Sequence, residues 1–248
     1  MKTCSDVPKG CIVDTKVKKE CFFKRRSDMT KLEKESGNTN ILRGGSKSVP
    51  LKMFEKELTK GESIYEFGAG KGGDMIHLCS VGHDVTACDP NTTLGNCKVK
   101  KSDVVINNYV INTVRPPLRK SIMQDIADST TNRAYISARR VIKIAGKSTP
   151  SDDGILTGAN TFQKAFTPIE LKEYGEQFFK TCKVLNPKDA STSSVVCRLP
   201  IQKKPEFDLT GWRNIPTPKK PEFDLTGWQN IPTPKKPYIN YKGLRNLG

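Results

Sequence analysis

Hydrophobic positions between residues 60 and 110 fall into two alternating spacings. Continuous apolar runs that end in glycine or a polar residue predict buried strands at Ile64–Phe67, Asp84–Asp89 and Asp103–Asn107. Gly72–Gly82, between the first two runs, carries its apolar residues at helical spacing. Strand and helix signals in alternation predict an α/β domain.

The second half of the pattern completes the domain. Pro116–Ser129 begins with proline and has apolar residues at helical spacing, which predicts a helix, and Ala134–Ser137 predicts a fourth strand. Thr167–Lys180 opens with a capping-box sequence and predicts another helix. Val184–Leu185 and Val195–Leu199 then predict a C-terminal antiparallel hairpin. The expected domain spans residues 41–202.

Two flanking segments lack this periodicity and carry most of the charge. The 248 residues have a formal net charge of +16, of which residues 1–50 contribute +6 and residues 203–248 contribute +5. Residues 1–40 predict a basic flexible arm, and residues 203–248 predict an extended basic tail. Basic arms around a modestly charged domain favour an anionic partner, nucleic acid before a membrane surface, although lysine-rich arms also simply aid solubility.

The tail contains a tandem repeat. KKPEFDLTGWRNIPTP at 203–218 is followed by KKPEFDLTGWQNIPTP at 219–234, and the copies differ only at Arg213 and Gln229. Each copy holds one of the two tryptophans, which suits stacking on a base or insertion into a groove of a protein partner at 203–236. A duplicated linker without a role is the alternative interpretation.

The cysteine spacing and the apolar pattern indicate the cellular compartment of the protein. None of the eight cysteines lies in a Cys-x-x-Cys pair, so we expect reduced thiols and no metal site. No apolar run approaches the roughly 18 residues of a membrane span, and the first residues do not resemble a signal peptide. These features predict a cytoplasmic protein.

The sharpest local pattern is a glycine loop framed by two acids. Gly68, Gly70 and Gly72 follow the first strand and precede a helix, where glycines let the backbone approach a ligand closely. Glu66, two residues before the first glycine, would repel a pyrophosphate but suits a cationic cofactor without phosphate. Asp89 ends the next strand, where a carboxylate can accept both hydroxyls of a ribose. A dinucleotide site is the alternative, and Glu66 disfavours it.

Together these residues resemble the cofactor site of class I S-adenosylmethionine-dependent methyltransferases. The resemblance implies that Glu66, Gly68, Gly70, Gly72 and Asp89 bind S-adenosylmethionine. It also implies a Rossmann-like class I methyltransferase sheet as the fold.

A narrower resemblance covers about residues 38–200. The segments that carry it are NILR (40–43), SKSVP (46–50), the glycine loop, Asp89–Pro90, NYVINTV (108–114) and GANTFQK (158–164). They occur in this order in the methyltransferase family associated with DNA phosphorothioation in bacteria and phages. This resemblance implies DNA modification in a bacterial or phage-infected cell.

The chain departs from the general pattern after the second strand. Only 13 residues separate Asp89 from Asp103, which leaves room for a turn and a short strand at Cys97–Val99. The acid that contacts adenine in this family has no clear counterpart here. Asn91 or Ser102 is the candidate replacement.

The acceptor side of the predicted site is marked by Asn108 and Tyr109. They follow the third strand, at the sheet edge where ligands bind. DNA amino-methyltransferases use an amide or carboxylate, two prolines and an aromatic that stacks on the flipped base at this place. This chain has Asn108 and Tyr109 but no proline pair, so the match is partial. Asn108 and Tyr109 are the candidate catalytic residues, orienting the acceptor, and the alternative interpretation is that they simply satisfy the end of a strand. The region 139–164 is a candidate lid, and its basic residues, including Lys143, are candidates for phosphate binding.

Three functions are compatible with these patterns. The first is an enzyme that transfers methyl directly from S-adenosylmethionine to nucleic acid, with DNA favoured. The second is a methyltransferase-like scaffold without activity, whose repeat tail recruits a partner. The third is methylation of a protein or small molecule, which the net charge disfavours.

Overall fold

The computed structural model describes residues 1–7, 12–13, 16–17, 47–142, 147–185 and 190–201. The repeat tail, most of the predicted N-terminal arm and Lys143 lie outside the described residues.

The described residues form the following elements. The strands are β1 (Lys2–Thr3), β2 (Ile12–Val13), β3 (Lys16–Val17), β4 (Ser63–Phe67), β5 (Asp84–Cys88), β6 (Ser102–Asn108), β7 (Thr130–Arg139), β8 (Ser148–Ser151), β9 (Gly154–Thr157), β10 (Phe162–Gln163), β11 (Phe179–Leu185) and β12 (Thr192–Pro200). The α-helices are α1 (Val49–Phe54), α2 (Gly73–Ser80), α3 (Pro116–Ser129) and α4 (Pro168–Gly175).

The main sheet has seven strands in the order β1-β5-β4-β6-β7-β12-β11. Strands β5, β4, β6 and β7 are parallel, whereas β12 runs antiparallel to both β7 and β11. The predicted Rossmann-like α/β sheet with its C-terminal hairpin is confirmed. Because β4, β5, β6 and β7 are parallel, their carboxyl ends meet at one edge, where ligands bind in such sheets.

Each face of the sheet is covered by a pair of helices. One core cluster joins Leu51 of α1 and Met75 of α2 to the sheet through Ile64. The other joins Met123 of α3 and Leu171 of α4 to the opposite face. The alternation of side chains along each strand supplies both faces, which explains why the buried strands read as continuous apolar runs.

Local signals set the helix boundaries. Proline occupies the first turn of α3, where the missing N–H costs nothing. Thr167 accepts from the Glu170 N–H at 3.2 Å, and the Glu170 carboxylate accepts from the Thr167 N–H at 2.7 Å, which completes the predicted capping box of α4. The helix ends at Gly175 and not at Lys180, and β11 already begins at Phe179. A Cβ at Gly175 would lie 2.7 Å from Cys182 Sγ of β11, so the close approach of the helix to this strand requires glycine.

Three further expectations need correction. No strand forms at Cys97–Val99, and the sheet edge beside β5 is occupied instead by β1, which pairs Lys2 with Ala87. The first residues of the predicted arm therefore belong to the sheet. The candidate lid also contains regular structure, because β8, β9 and β10 form a separate three-stranded antiparallel sheet.

The cysteines differ most from expectation. Disulfide bonds join Cys4 to Cys79, Cys88 to Cys97 and Cys182 to Cys197. The prediction of reduced thiols is wrong for these six. Sequence spacing concealed the pairs because two of them join separate elements, such as the register partners of β11 and β12. Cys11 and Cys21 lie outside the described residues.

The described residues lack two features, a membrane-spanning helix and a cluster of metal ligands. Among them no helix is long and apolar enough to cross a membrane. The same part of the chain holds no group of three or more His, Cys, Asp or Glu side chains placed to bind a metal ion.

Candidate active site

The glycine loop between β4 and α2 lies at the carboxyl edge of the sheet. Gly68, Gly70 and Gly72 have φ angles of 77°, 58° and 74°, and Gly72 is the N-cap of α2. The main-chain N–H groups of Gly68 and Ala69 both donate to the carbonyl of Cys88 at 2.9 Å. These contacts tie the loop to the end of β5.

Gly68 is required by contact as well as by conformation. A Cβ at this position would lie 2.4 Å from Cγ2 of Val110, in the segment after β6. The positive φ would strain any other L-residue. Val110 therefore covers the glycine loop directly, and the chain after β6 forms one wall of the site.

Glu66 places a carboxylate beneath this loop. It lies in β4, is 3% exposed, and its Oε2 atom has no hydrogen-bond partner. Burial raises the pKa of Glu66 well above its ordinary value of 4.5, the Asp74 and Asp89 carboxylates raise it further, and a hydrogen bond from the Met75 N–H opposes the shift. An unpaired buried acid among acids is electrostatically suited to a cation.

Asp89 lies one residue beyond β5 and is 5% exposed. Its Oδ2 accepts from the Gly70 N–H at 2.9 Å, and its Oδ1 accepts from the Asn91 N–H at 2.8 Å. These two hydrogen bonds fix the plane of the carboxylate against the glycine loop. The structure thus brings together Glu66, Asp89 and all three glycines of the predicted cofactor site.

Sequence reasoning missed a third acid, Asp74, in the first turn of α2. Asp74 is 6% exposed and accepts from the main-chain N–H of Ser48 at 2.6 Å, the Ser48 hydroxyl at 2.5 Å and Asn108 Nδ2 at 3.0 Å. Burial raises its pKa, although these hydrogen bonds oppose the shift. An acid directly after a glycine loop was the available signal, but its partner at Ser48 is 26 residues away.

Asn108 sits at the end of β6 with its two amide atoms in different situations. Nδ2 donates to Asp74 and, at 3.3 Å, to the Ser48 hydroxyl. Since both partners accept, the amide orientation is determined. Oδ1 is buried and has no partner. Asn108 therefore presents one unused acceptor at the edge of the site.

Tyr109 is held in place by contacts with residues of β7 and β12. It has a φ of 61°, its hydroxyl lies 2.7 Å from Thr192 Oγ1, and the guanidinium of Arg139 lies 4.9 Å from the ring centroid. A cation already faces the ring that was expected to stack on a base. The structure favours a positioning role for Tyr109, which links the segment after β6 to β12.

The two candidates for adenine contact are separated by the fold. Asn91 follows Asp89 at the carboxyl edge, where Asp89 accepts from its N–H. Ser102 begins β6 and pairs with Thr130 at the amino edge, so it is excluded as an adenine contact.

The wall after β6 is joined to the three-stranded insertion. Asn112 Nδ2 donates to Gln163 Oε1 at 3.2 Å, and the Lys164 N–H donates to the Asn112 carbonyl at 2.8 Å. Arg119 of α3 holds the same wall, with Nε donating to the Ile111 carbonyl and Nη2 to the Val114 carbonyl, each at 2.9 Å. Sequence reasoning missed these residues because each contact crosses between elements.

Comparison with known proteins gives weak structural likenesses only. No protein-family model and no curated protein matches the sequence. The 1,6-didemethyltoxoflavin-N1-methyltransferase of Burkholderia thailandensis, solved with S-adenosylhomocysteine, is 16% identical, with a TM-score of 0.45 over 62% of this chain and 77% of its own. The PH0226 protein of Pyrococcus horikoshii is 13% identical, with a TM-score of 0.47 over 60% and 89%.

A third solved structure with similar statistics is a ribosomal RNA methyltransferase. The Thermus thermophilus 16S rRNA N2 G1207 methyltransferase, solved with AdoMet and guanosine, is 12% identical, with a TM-score of 0.41 over 61% of this chain and 42% of its own. These values are too low for any of the three neighbours to carry an inference about the reaction of this chain. The assignment has to rest on the residues of the site.

Proposed function

We propose that this chain is an S-adenosylmethionine-dependent methyltransferase that acts on nucleic acid, with DNA as the favoured acceptor. The observation that carries the proposal is the buried Glu66 carboxylate beneath a glycine loop, with an unpaired oxygen and two further acids nearby. A phosphate-bearing cofactor would be repelled there, whereas a cationic one is attracted.

The residues present fit S-adenosylmethionine. Glu66 and the loop of Gly68, Gly70 and Gly72 would hold its cationic methionine portion, and Asp89 would accept its ribose hydroxyls. When bound, this cofactor supplies an electrophilic methyl group on a sulfonium. Val110 packs so closely over Gly68 that a side chain at residue 68 would displace this wall of the site.

The chain would contribute alignment to a direct transfer. Asn108 Oδ1, which lacks a partner, is placed to accept an N–H from an amine acceptor at the carboxyl edge of the sheet. Tyr109 would keep the Asn108 backbone in place through its hydrogen bond to Thr192. Alignment of this kind is a large source of rate enhancement in reactions between two bound molecules.

The choice of nucleic acid rests on charge and on the resemblance described from the sequence. The net charge of +16 lies mostly in residues 1–50 and 203–248, where it would attract phosphates to the domain at 41–202. DNA modification in a cytoplasmic bacterial or phage setting follows from the likeness to the phosphorothioation-associated family. The repeats at 203–236 would recruit a further partner.

Calorimetric titration with S-adenosylmethionine tests the cofactor assignment. We expect binding to the wild type and a loss of at least tenfold in affinity in Glu66→Gln and Asp89→Asn, since each removes about 1.4 kcal/mol or more of charge-assisted interaction. Glu173→Gln on the exposed face of α4 and Asp84→Asn at the opposite end of β5 are the matched controls. Unchanged affinity in both site variants would refute the assignment.

A labelling experiment tests the acceptor. Full-length protein is incubated with methyl-labelled cofactor and separate DNA, RNA, protein and phosphorothioate-DNA fractions. Label in DNA is expected, and label in protein alone would overturn the choice of nucleic acid.

The scaffold function is the second candidate, and one observation favours it. Between Asp89 and the start of β6 at Ser102 the chain forms neither a helix nor a strand, so the adenine side of the site has less cover than a full helix and strand would give. Cofactor binding without label in any fraction would support this candidate.

A further inference from the structure

Asn112 lies in the wall of the site and is 1% exposed. Its Nδ2 donates to Gln163 Oε1, and its main-chain carbonyl accepts from Lys164. Its Oδ1 is buried and has no hydrogen-bond partner. An unsatisfied buried acceptor costs roughly 1–3 kcal/mol, so a structure that retains one has an acceptor available for a donor from outside.

The surrounding structure holds Asn112 in place from both sides. Arg119 is 3% exposed and donates to the carbonyls of Ile111 and Val114, which bracket Asn112 in the chain. The same guanidinium donates to both carboxylate oxygens of Asp153, in the turn between β8 and β9, at 2.5 and 3.1 Å. A buried bidentate arginine therefore locks the wall to the insertion, and Asn112 lies at their junction.

Three of the unpaired buried atoms near the site are amide oxygens. Asn107, Asn108 and Asn112, at and just beyond the end of β6, each have an amide oxygen without a partner, and each has its amide nitrogen engaged. Asn107 points its nitrogen at the Phe67 carbonyl and is fully buried within the sheet. Asn112 differs from it because it lies in a loop, where the wall meets the insertion, and not inside the sheet. A surplus of acceptors calls for a ligand that presents N–H donors.

We propose that Asn112 is a specificity-determining residue that accepts a hydrogen bond from the exocyclic amine of the acceptor base, adenine or cytosine. The inference rests on the proposed function and names the acceptor group of that site. Asparagine is an established reader of the adenine amine in DNA recognition. Thymine has no such amine, so its binding would leave Asn112 Oδ1 unsatisfied. Access to Oδ1 requires Phe162–Lys164 to move away from the wall.

Paired probes that differ by a single amine test this. Full-length protein saturated with S-adenosylhomocysteine is titrated with fluorescent thymine 12-mers that carry one central adenine or one central purine without the 6-amino group. A second pair carries a central cytosine or 2-pyrimidinone, so the two pairs separate adenine from cytosine. We expect the amine-bearing member of one pair to bind about five- to tenfold more tightly, as one satisfied buried hydrogen bond implies.

Variants at residue 112 separate hydrogen bonding from a structural effect. Asn112→Ala should bind both members of the pair equally, whereas Asn112→Asp, which keeps an acceptor oxygen, should retain the preference. Asn132→Ala, an exposed asparagine at the amino edge of the sheet, is the matched control and should behave as the wild type. The basic arms bind all probes alike, so the ratio within a pair reports on the site alone.

Two results would overturn the inference. One is equal affinity for both members of each pair in the wild type. The other is loss of the preference in Asn112→Asp together with Asn112→Ala, which would assign residue 112 a merely structural role. Cofactor affinity, measured by calorimetry on the same samples, separates this inference from the proposed function. Intact cofactor binding without base preference refutes the role of Asn112 alone, whereas failure of the wild type to bind cofactor refutes both.

Discussion

The two edges of the main sheet differ in how their acids are neutralised. At the amino edge, Arg133 donates to both carboxylate oxygens of Glu62 at 2.6 and 2.7 Å, and this hydrogen bonding lowers the pKa of Glu62. At the carboxyl edge, burial raises the pKa of Glu66 and Asp74, and neither pairs with an arginine or lysine in the part of the chain that the structure describes. A neutralised edge contributes to stability, whereas an edge with unpaired acids is available for a cationic ligand.

The largest expected loss of stability comes from removing Arg133, which pairs with Glu62 at the amino edge. Arg133 is 5% exposed and also donates to the Glu57 carbonyl at 2.9 Å. Arg133→Met would leave Glu62 without its cation and should cost about 3–5 kcal/mol in the free energy of unfolding. Denaturant titration measures the loss. Arg198→Met, an exposed arginine on β12, should cost under about 0.5 kcal/mol, and equal losses in the two variants would contradict the assignment.

The next effect tests the close packing at the unpaired edge. Gly68→Ala adds a methyl group against Val110 at a positive φ, and we expect a loss of about 2–3 kcal/mol in stability together with cofactor affinity. Gly61→Ala is the matched control, because Gly61 has a φ of +88° and no atom within 4 Å of the added Cβ. It should cost only the conformational strain, about 1 kcal/mol, and leave cofactor affinity intact.

A pH series tests the sign of the Glu66 shift. Because its pKa is raised, the folded state holds the Glu66 proton more tightly than the unfolded state, and this stabilisation is present below pH 4.5 and lost as pH rises through the folded pKa. Glu66→Gln should therefore match the wild type near pH 4 and melt at a higher temperature near pH 8. A variant that melts lower at pH 8 would show that Glu66 is paired.

The smallest expected effect on stability concerns Asp103, whose pKa is shifted in the opposite direction to that of Glu66. Hydrogen bonds from the Ser63 N–H and hydroxyl hold the pKa of Asp103 below its ordinary 3.8 at the amino edge. Its stabilisation is present above pH 3.8 and is lost as pH falls through the folded pKa. Asp103→Asn should cost under about 1 kcal/mol at pH 7 and almost nothing at pH 2.5, which thermal melts can follow. A constant cost across this range would exclude the ionised carboxylate as its source.

The sequence predicted those features that depend on neighbours along the chain. The strand, glycine loop and helix at 63–80 lie in one continuous segment, and the spacing to Asp89 placed a second acid beside Gly70. Local chemistry also placed both ends of α3 and the start of α4. For these segments the hydrophobic period and the capping residues were sufficient.

The remainder depends on contacts between distant residues, which periodicity does not encode. Asp74 meets Ser48 and Asn112 meets Gln163 only once the sheet is assembled. The two-residue β1 is too short to show a strand period, and the requirement for glycine at residue 175 comes from sulfur atoms in β11 and β12. The same reason explains why the cysteine pairs escaped prediction.

The disulfide between Cys88 and Cys97 has a practical consequence for every binding measurement suggested above. Its two cysteines flank Asp89 and Asn91. The segment that carries the proposed ribose contact is therefore a covalent ring, which closes at the carboxyl end of β5. Protein kept in reducing agent and protein kept without it therefore differ in whether this ring is open or closed. Titrations of the two in parallel, with the thiol content of each counted, would make the redox history of the sample a controlled variable.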